Sequence, residues 1–300
     1  MNARMFSVTP VYDLLLRGTQ ALPVGLSQLH LATAGQLCRL HYKPGCITTV
    51  KARLKDLTDQ GFIQADAIPT KRARSPYYYA LAQKGLRYLE DAGCDTSETF
   101  RASREANKHS LFIEHTLELN DVLISASLLR RGQGYYLDSF QHERSLKRRP
   151  YKATWRDQRE GYTQTFTVIP DAFLDFRLAL ADGRQRRLPV ILEHDRGTEE
   201  QRYFRRRIRA YIVLLKSEMY KELFGVRTLT IAFTTFAGEA RRKQMREWTK
   251  AELAATNEGS DIGGAFYFAT AVRPLDPHSL WQSACWYTVY SDQPVTLLAL

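Results

Sequence analysis

The chain of 300 residues carries 43 Lys and Arg against 32 Asp and Glu, a formal net charge of +11, with 44% hydrophobic and 25% charged residues. Those fractions fit a globular protein with a real core, in one large domain or two ordinary ones, and exclude a disordered or fibrous chain. No apolar run reaches the ~18–20 residues of a membrane-spanning helix. Asp13 interrupts the N-terminal apolar stretch and no small-residue cleavage pattern follows, so the expected location is cytoplasmic, without a membrane partner.

From residue 11 to residue 93 short helices alternate with tight breaks. "YDLLLR" (12–17) offers a short apolar stripe. Residues 32–42 read as a helix with Thr33 as N-cap and with Leu37, Leu40 and Tyr42 facing inward. Pro44 and Gly45 break the chain. "CITTVKARLKDLTDQGFI" (46–63) then sets Ile47, Val50, Leu54 and Leu57 on one face and leaves Thr48, Thr49, Lys51, Arg53 and Lys55 mostly outside, with Gly61 as C-terminal cap. A strand, a charged tip holding Lys71, Arg72 and Arg74, a second strand and a helix follow.

Helix–turn–helix followed by a two-stranded wing is a winged helix. Its second helix would enter the major groove with Thr48, Thr49, Lys51, Arg53 and Lys55 nearest the DNA, and the tip residues Lys71, Arg72 and Arg74 would meet phosphate or the minor groove. The competing reading of the same elements is a protein-contact module. The polar, aperiodic stretch 96–104 is the expected linker between a domain at 1–95 and another at 105–300.

The second domain opens on an amphipathic helix over 111–132, then a strand over 135–140 and a polar basic stretch through Gly161. Residues 163–195 supply two or three strands around an Asp182–Gly183 turn. Helix 197–225, strand 227–235, helix 237–256 and strand 264–272 complete an α/β (α+β) unit, a mixed sheet with helices against its faces. The last residues, with Trp281 and Trp286 among prolines, read as a strap over the sheet or a partner-binding tail.

Three carboxylates stand at the outer ends of the 163–195 hairpin. Antiparallel pairing brings Asp171, at the start of one strand, beside Glu193 and Asp195, at the end of its partner. Residues two apart on a strand share a face, so Glu193 and Asp195 point together and His194 points away. Converging hard carboxylates suit Mg²⁺ or Mn²⁺. The competing reading is three acids paired with Arg177, Arg196 or Arg202.

Runs such as 71–74, 147–149, 202–209 and 241–246 are rich in arginine, a pattern that concentrates anionic partners and nucleic acid above all. Cys38, Cys46, Cys94 and Cys285 form no CxxC pair and are expected as free thiols. The His30, Cys38, His41, Cys46 spacing fits no usual zinc module.

The hairpin and its flanks resemble the PD-(D/E)XK nuclease core, with Pro170–Asp171 as the "PD" and Glu193–His194–Asp195 as the second motif. Asp195 takes the place of the motif lysine. In the nuclease core that this hairpin resembles that lysine helps to activate water, and Arg206 or Arg207, on the basic helix that follows, would stand in for it as a fixed cation facing the phosphate rather than as a base. In the PD-(D/E)XK nucleases that the second domain resembles, an acid on the first helix can complete the metal site. That makes Glu118, with Asp121 second, a further ligand candidate, although His115 and Glu118 at i and i+3 also suit a buried hydrogen-bonded pair. "EHDRGTEE" followed by "RIRAY" (207–211), "EHTLELNDV" (114–122) and a winged helix in front together resemble the plasmid replication-relaxation family and the related tyrosine-independent mobilisation relaxases, over about Val11 to Val272. Arg207 stands where that family usually has lysine. The resemblance implies a protein of a plasmid or integrative element that acts on duplex DNA in replication, relaxation or transfer, alone or with other replication or transfer proteins. Its chemistry would be Mg²⁺- or Mn²⁺-dependent nicking by Asp171, Glu193, Asp195 and Arg207 or Arg206. The alternative is a non-catalytic DNA-binding regulator or replication accessory on the same fold. A dimer on a palindrome is an ordinary arrangement for winged helices.

Overall fold

A computed structural model describes residues 6–7, 21–68, 76–94, 110–129, 134–148, 150–156, 161 and 163–298. The 12–17 stripe, the tip residues Lys71, Arg72 and Arg74, and the 96–104 linker lie outside the described residues. The chain divides into two compact units, Met1–Leu128 and Leu129–Leu300. Among the described residues no helix is long and apolar enough to cross a membrane.

The N-terminal unit contains a two-residue strand β1 (Phe6–Ser7), then α1 (Ala21–Leu29), β2 (Leu31–Thr33), α2 (Ala34–His41), α3 (Ile47–Asp59), β3 (Ile63–Ala67), β4 (Tyr77–Leu81), α4 (Gln83–Asp91) and α5 (Ser110–Ser127). Thr33 caps α2 as expected. Its hydroxyl accepts from the Gln36 N–H at 3.2 Å, and the Gln36 side chain accepts from the Thr33 N–H at 3.0 Å, a reciprocal box. Leu37 is buried under α2, whereas Leu40 and Tyr42 are only half-buried. Val50, Leu54 and Leu57 form the buried stripe of α3, and Gly61, at φ 74°, turns the chain out of it. The strands pair antiparallel in the order β2-β4-β3.

Helix α5 stops at Ser127 rather than Gly132, and its hydrogen bonds tie it into this unit rather than opening the next one. Asn120, fully buried, donates to the carbonyls of Leu29 (3.0 Å) and Leu31 (2.7 Å). The Gln36 side chain donates to the Leu117 carbonyl at 2.6 Å and to Asp121 at 2.9 Å. Buried polar groups of this kind cost free energy unless paired, so the pairing fixes where the helix sits.

The C-terminal unit is built on a mixed sheet. Its strands are β5 (Tyr136–His142), β8 (Ala172–Ala179), β9 (Gln185–Asp195), β10 (Thr230–Thr235), β11 (Phe266–Thr270), β12 (Ala284–Thr288) and β13 (Val295–Thr296), hydrogen-bonded in that order. The β8–β9 hairpin is antiparallel around the expected turn, with Gly183 at φ 79°. β9, β10 and β11 run parallel. The basic helix of the sequence is divided into α7 (Gln201–Lys216) and α8 (Tyr220–Phe224), separated by Glu218 at φ 52°. Helix α9 (Glu239–Ala255) connects β10 to β11.

One face of the sheet is covered by α7, α8 and α9: Phe233 meets Phe204 at 5.3 Å, and Phe173 stacks on Phe224 at 4.3 Å. On the other face Phe176 meets Trp281, of the short α11 (Pro277–Trp281), at 5.0 Å. Each such buried aromatic contributes on the order of 1.5–3 kcal/mol. A short α10 (Ser260–Gly263) precedes β11.

The C-terminal stretch is neither strap nor tail. β12 adds antiparallel to β11 and β13 to β12, with Trp281 and Trp286 fully buried beneath them. Between β5 and β8 the chain also forms a short α6 (Glu143–Leu146) and a separate antiparallel ribbon, β6 (Tyr151–Arg156) with β7 (Thr163–Val168). β6 falls in the stretch that reads from sequence as polar and irregular.

Candidate functional site

The acids gather at the end of the β8–β9 hairpin because its last pair is Ala172–Leu192, which sets Asp171 beside Glu193 and His194. The Asp171 carboxylate accepts from the His194 backbone N–H at 2.8 Å. Glu193 and Asp195 turn to the α7–α9 face. His194 turns to the other, where its Nδ1 lies 3.0 Å from the Thr234 hydroxyl. The expected alternation along this strand is borne out.

Glu193 and Asp195 are each met by basic or hydroxyl groups from the covering helices. Glu193 is 2% exposed; one of its oxygens accepts from Arg207 at 2.6 Å and the other from the Tyr211 hydroxyl. Arg207 also donates to Glu199. Burial pushes the Glu193 carboxyl up to about 7, with Arg207 opposing and the neighbouring Asp171 charge adding to the rise. Arg207, between Glu193, Glu199 and Asp171, and Tyr211, buried against Glu193, both stay protonated well above their ordinary ranges.

Asp195, 4% exposed, forms a two-pronged pair with Arg241 of α9, at 2.7 and 2.9 Å, and accepts from the Gly197 N–H at 2.7 Å. Arg241 also donates to the Glu199 carbonyl at 2.8 Å. Planar guanidinium and carboxylate match in this geometry, which makes it the strongest class of side-chain ion pair.

The partners of Glu193 and Asp195 are therefore Arg207 and Arg241 rather than Arg177 or Arg202. Arg177 pairs with Asp138 and Asp175, and Arg202 with Glu200. Every oxygen of Glu193 and Asp195 already accepts from an N–H or O–H donor. As arranged this donor set does not fit a divalent cation, and among the described residues no group of three or more His, Cys, Asp or Glu is placed to hold one. Asp121 is engaged by Gln36 and Arg39 inside the N-terminal unit, and Glu118 is half-buried on the same helix. The cysteines of the described residues are free thiols.

Tyr211, Glu199 and Arg241 were not singled out by sequence. Tyr211 lies four residues after Arg207 on one helical face, which is a readable signal. Arg241 lay hidden inside a basic run. Much of that arginine-rich character is internal. Arg205 and Arg209 hold Glu252, which is fully buried. Arg246 donates to the carbonyls of Thr288 and Ser291 and to Asp292. Arg206 alone among residues 205–207 is exposed, with its guanidinium 5.5 Å from the Phe166 ring centre.

A family model described as replication-relaxation matches residues 25–230, more than half of the chain. The chain belongs to the replication-relaxation family. The matched span of this replication-relaxation protein takes in α2 and α3, the β8–β9 hairpin with Asp171, Glu193 and Asp195, and α7 with Arg207 and Tyr211. Arg241 lies beyond that span. No curated protein and no solved structure matches the chain.

Of the residues read as DNA-facing, Thr48, Thr49, Lys51 and Lys55 are exposed on α3, and Lys55 pairs with Asp59 one turn on. Arg53 is half-buried, donating to the Tyr42 hydroxyl at 2.9 Å and lying over its ring.

Proposed function

We propose that this replication-relaxation protein binds duplex DNA of a plasmid or integrative element and acts in its replication or relaxation. The N-terminal unit is read as a winged helix, with α3 as the helix that enters the major groove and the β3–β4 pair as the wing. The C-terminal unit is read as a PD-(D/E)XK-like framework. The observation that carries the DNA reading is α3 itself. Val50, Leu54 and Leu57 anchor it, while Thr48, Thr49, Lys51 and Lys55 leave its outer face polar and cationic, with no large apolar residue to demand a protein partner.

The arrangement of the acids favours the non-catalytic form of this reading. Glu193 and Asp195 act as acceptors for Arg207, Tyr211 and Arg241, which locks α7 and α9 onto the hairpin. Nicking is the second reading. It draws on the adjacency of Asp171 and Glu193, two carboxylates close enough for the charge of one to raise the pKa of the other. A divalent cation there would require Arg207 and Tyr211 to release Glu193.

One experiment tests both. Supercoiled plasmid carrying the element's own candidate origin is incubated with the protein, with Mg²⁺ or Mn²⁺ and with EDTA, beside Asp171→Ala/Glu193→Ala, and binding is followed by gel shift. A salt-sensitive shift with supercoiled DNA unchanged supports the non-catalytic reading. Metal-dependent open circle, absent in the double variant, supports nicking. No shift at any salt concentration refutes the DNA reading.

A further inference from the structure

The β6–β7 ribbon stands apart from the main sheet and has two unlike faces. Its register pairs Lys152 with Thr167, Thr154 with Thr165 and Arg156 with Thr163, so these six side chains share one face. All six are exposed. The opposite face carries Tyr151, Trp155, Gln164, Phe166 and Val168, with Phe166 and Val168 buried. That inner face packs on α7, where Arg206 lies over Phe166 and the Tyr151 hydroxyl meets the Ser217 hydroxyl at 2.9 Å. Only Ile169 and Pro170 separate the ribbon from Asp171.

A face of four threonines, one lysine and one arginine has no apolar side chain to bury against a protein and no acid to repel a polyanion. Its cations match phosphates. Its hydroxyls donate and accept, which suits both phosphate oxygens and base edges. Six residues per strand span roughly 20 Å, and a two-stranded ribbon fits a major groove about 12 Å wide.

We propose that the outer face of this ribbon, Lys152, Thr154, Arg156, Thr163, Thr165 and Thr167, is a second duplex-DNA docking surface, next in the chain to the Asp171 edge. This inference rests on the DNA-binding reading above.

The test is fluorescence anisotropy of the full chain with a labelled duplex and with the matching single strand, across about 50 to 200 mM salt. Lys152→Ala/Arg156→Ala should weaken duplex binding and lower the slope of log K against log salt by about 1.8, at ~0.9 per phosphate contact. Arg227→Ala/Lys250→Ala, an equal loss of exposed charge elsewhere, should move the slope less. Thermal unfolding of both variants should match the unaltered chain. A photo-crosslinking benzoylphenylalanine at Thr165, with another at Thr48, separates the two surfaces. Crosslinks to duplex from both positions support the ribbon. Crosslinks from Thr48 alone, an unchanged slope, equal slopes for the two charge variants, or preference for the single strand through Thr165 would overturn it while leaving the α3 reading intact. No binding by the unaltered chain would overturn both.

Discussion

Replacing Arg241 with Met is the sharpest test of the idea that Asp195 is an anchor rather than a ligand. Methionine keeps most of the side-chain volume but removes both prongs of the pair at 2.7 and 2.9 Å and the donor to the Glu199 carbonyl. The Asp195 carboxylate would stay buried at 4% exposure with the Gly197 N–H as its remaining donor among those described. Removing one partner of a buried pair costs about 3–5 kcal/mol, because the other charge is left uncompensated. For a unit of this size about 2–4 °C of Tm accompanies each kcal/mol, so a drop of roughly 6–20 °C is expected by calorimetry. Asp195→Asn in the Arg241→Met background should recover part of that loss, since a neutral amide is cheaper to bury. A drop under about 1 kcal/mol, or recovery of Tm by Mg²⁺ alone, would refute the anchor.

Three further outcomes are expected. Burial raises Glu193 from 4.5 to about 7, so the folded chain holds a proton that the unfolded chain has released. Its contribution, on the order of 3 kcal/mol, is fully present below the unfolded value and is lost as pH rises through 7. Chemical denaturation from pH 4 to pH 8 should therefore show a flatter profile for Glu193→Gln than for the unaltered chain; parallel profiles would refute the shift. Gly85→Ala would place a Cβ 2.1 Å from the Phe62 carbonyl oxygen and 2.9 Å from Leu81, costing about 1–3 kcal/mol in urea unfolding of the full chain, and an unchanged midpoint would disprove that close approach. Thr33→Ala should cost about 1 kcal/mol and Thr33→Ser very little; equal losses would count against the capping box.

The hairpin was legible because apolar runs flank an Asp-Gly turn and strand periodicity fixes which acids share a face. The parallel strands β10 and β11 were legible as continuous apolar runs. β6 was missed, although Tyr151, Ala153 and Trp155 alternate with Lys152, Thr154 and Arg156, a period-2 signal masked by the surrounding charges. Helix α5 was read correctly as a helix but not by its packing partner, because Asn120 and Gln36 find their acceptors over 80 residues away in the chain. The largest gap concerned arginine. Sequence gives its count and not its direction, so residues read as facing a polyanion turned inward to Glu193, Asp195 and Glu252.

The strand that finishes the sheet beyond β12 is only two residues long. It follows Pro294, which has no N–H to offer, and β12 beside it carries a register irregularity between Ala284 and Trp286. A second chain approaching this border meets almost no row of unpaired backbone groups to copy. Self-assembly through sheet extension is thereby discouraged at that margin, which works as a frayed hem rather than a template.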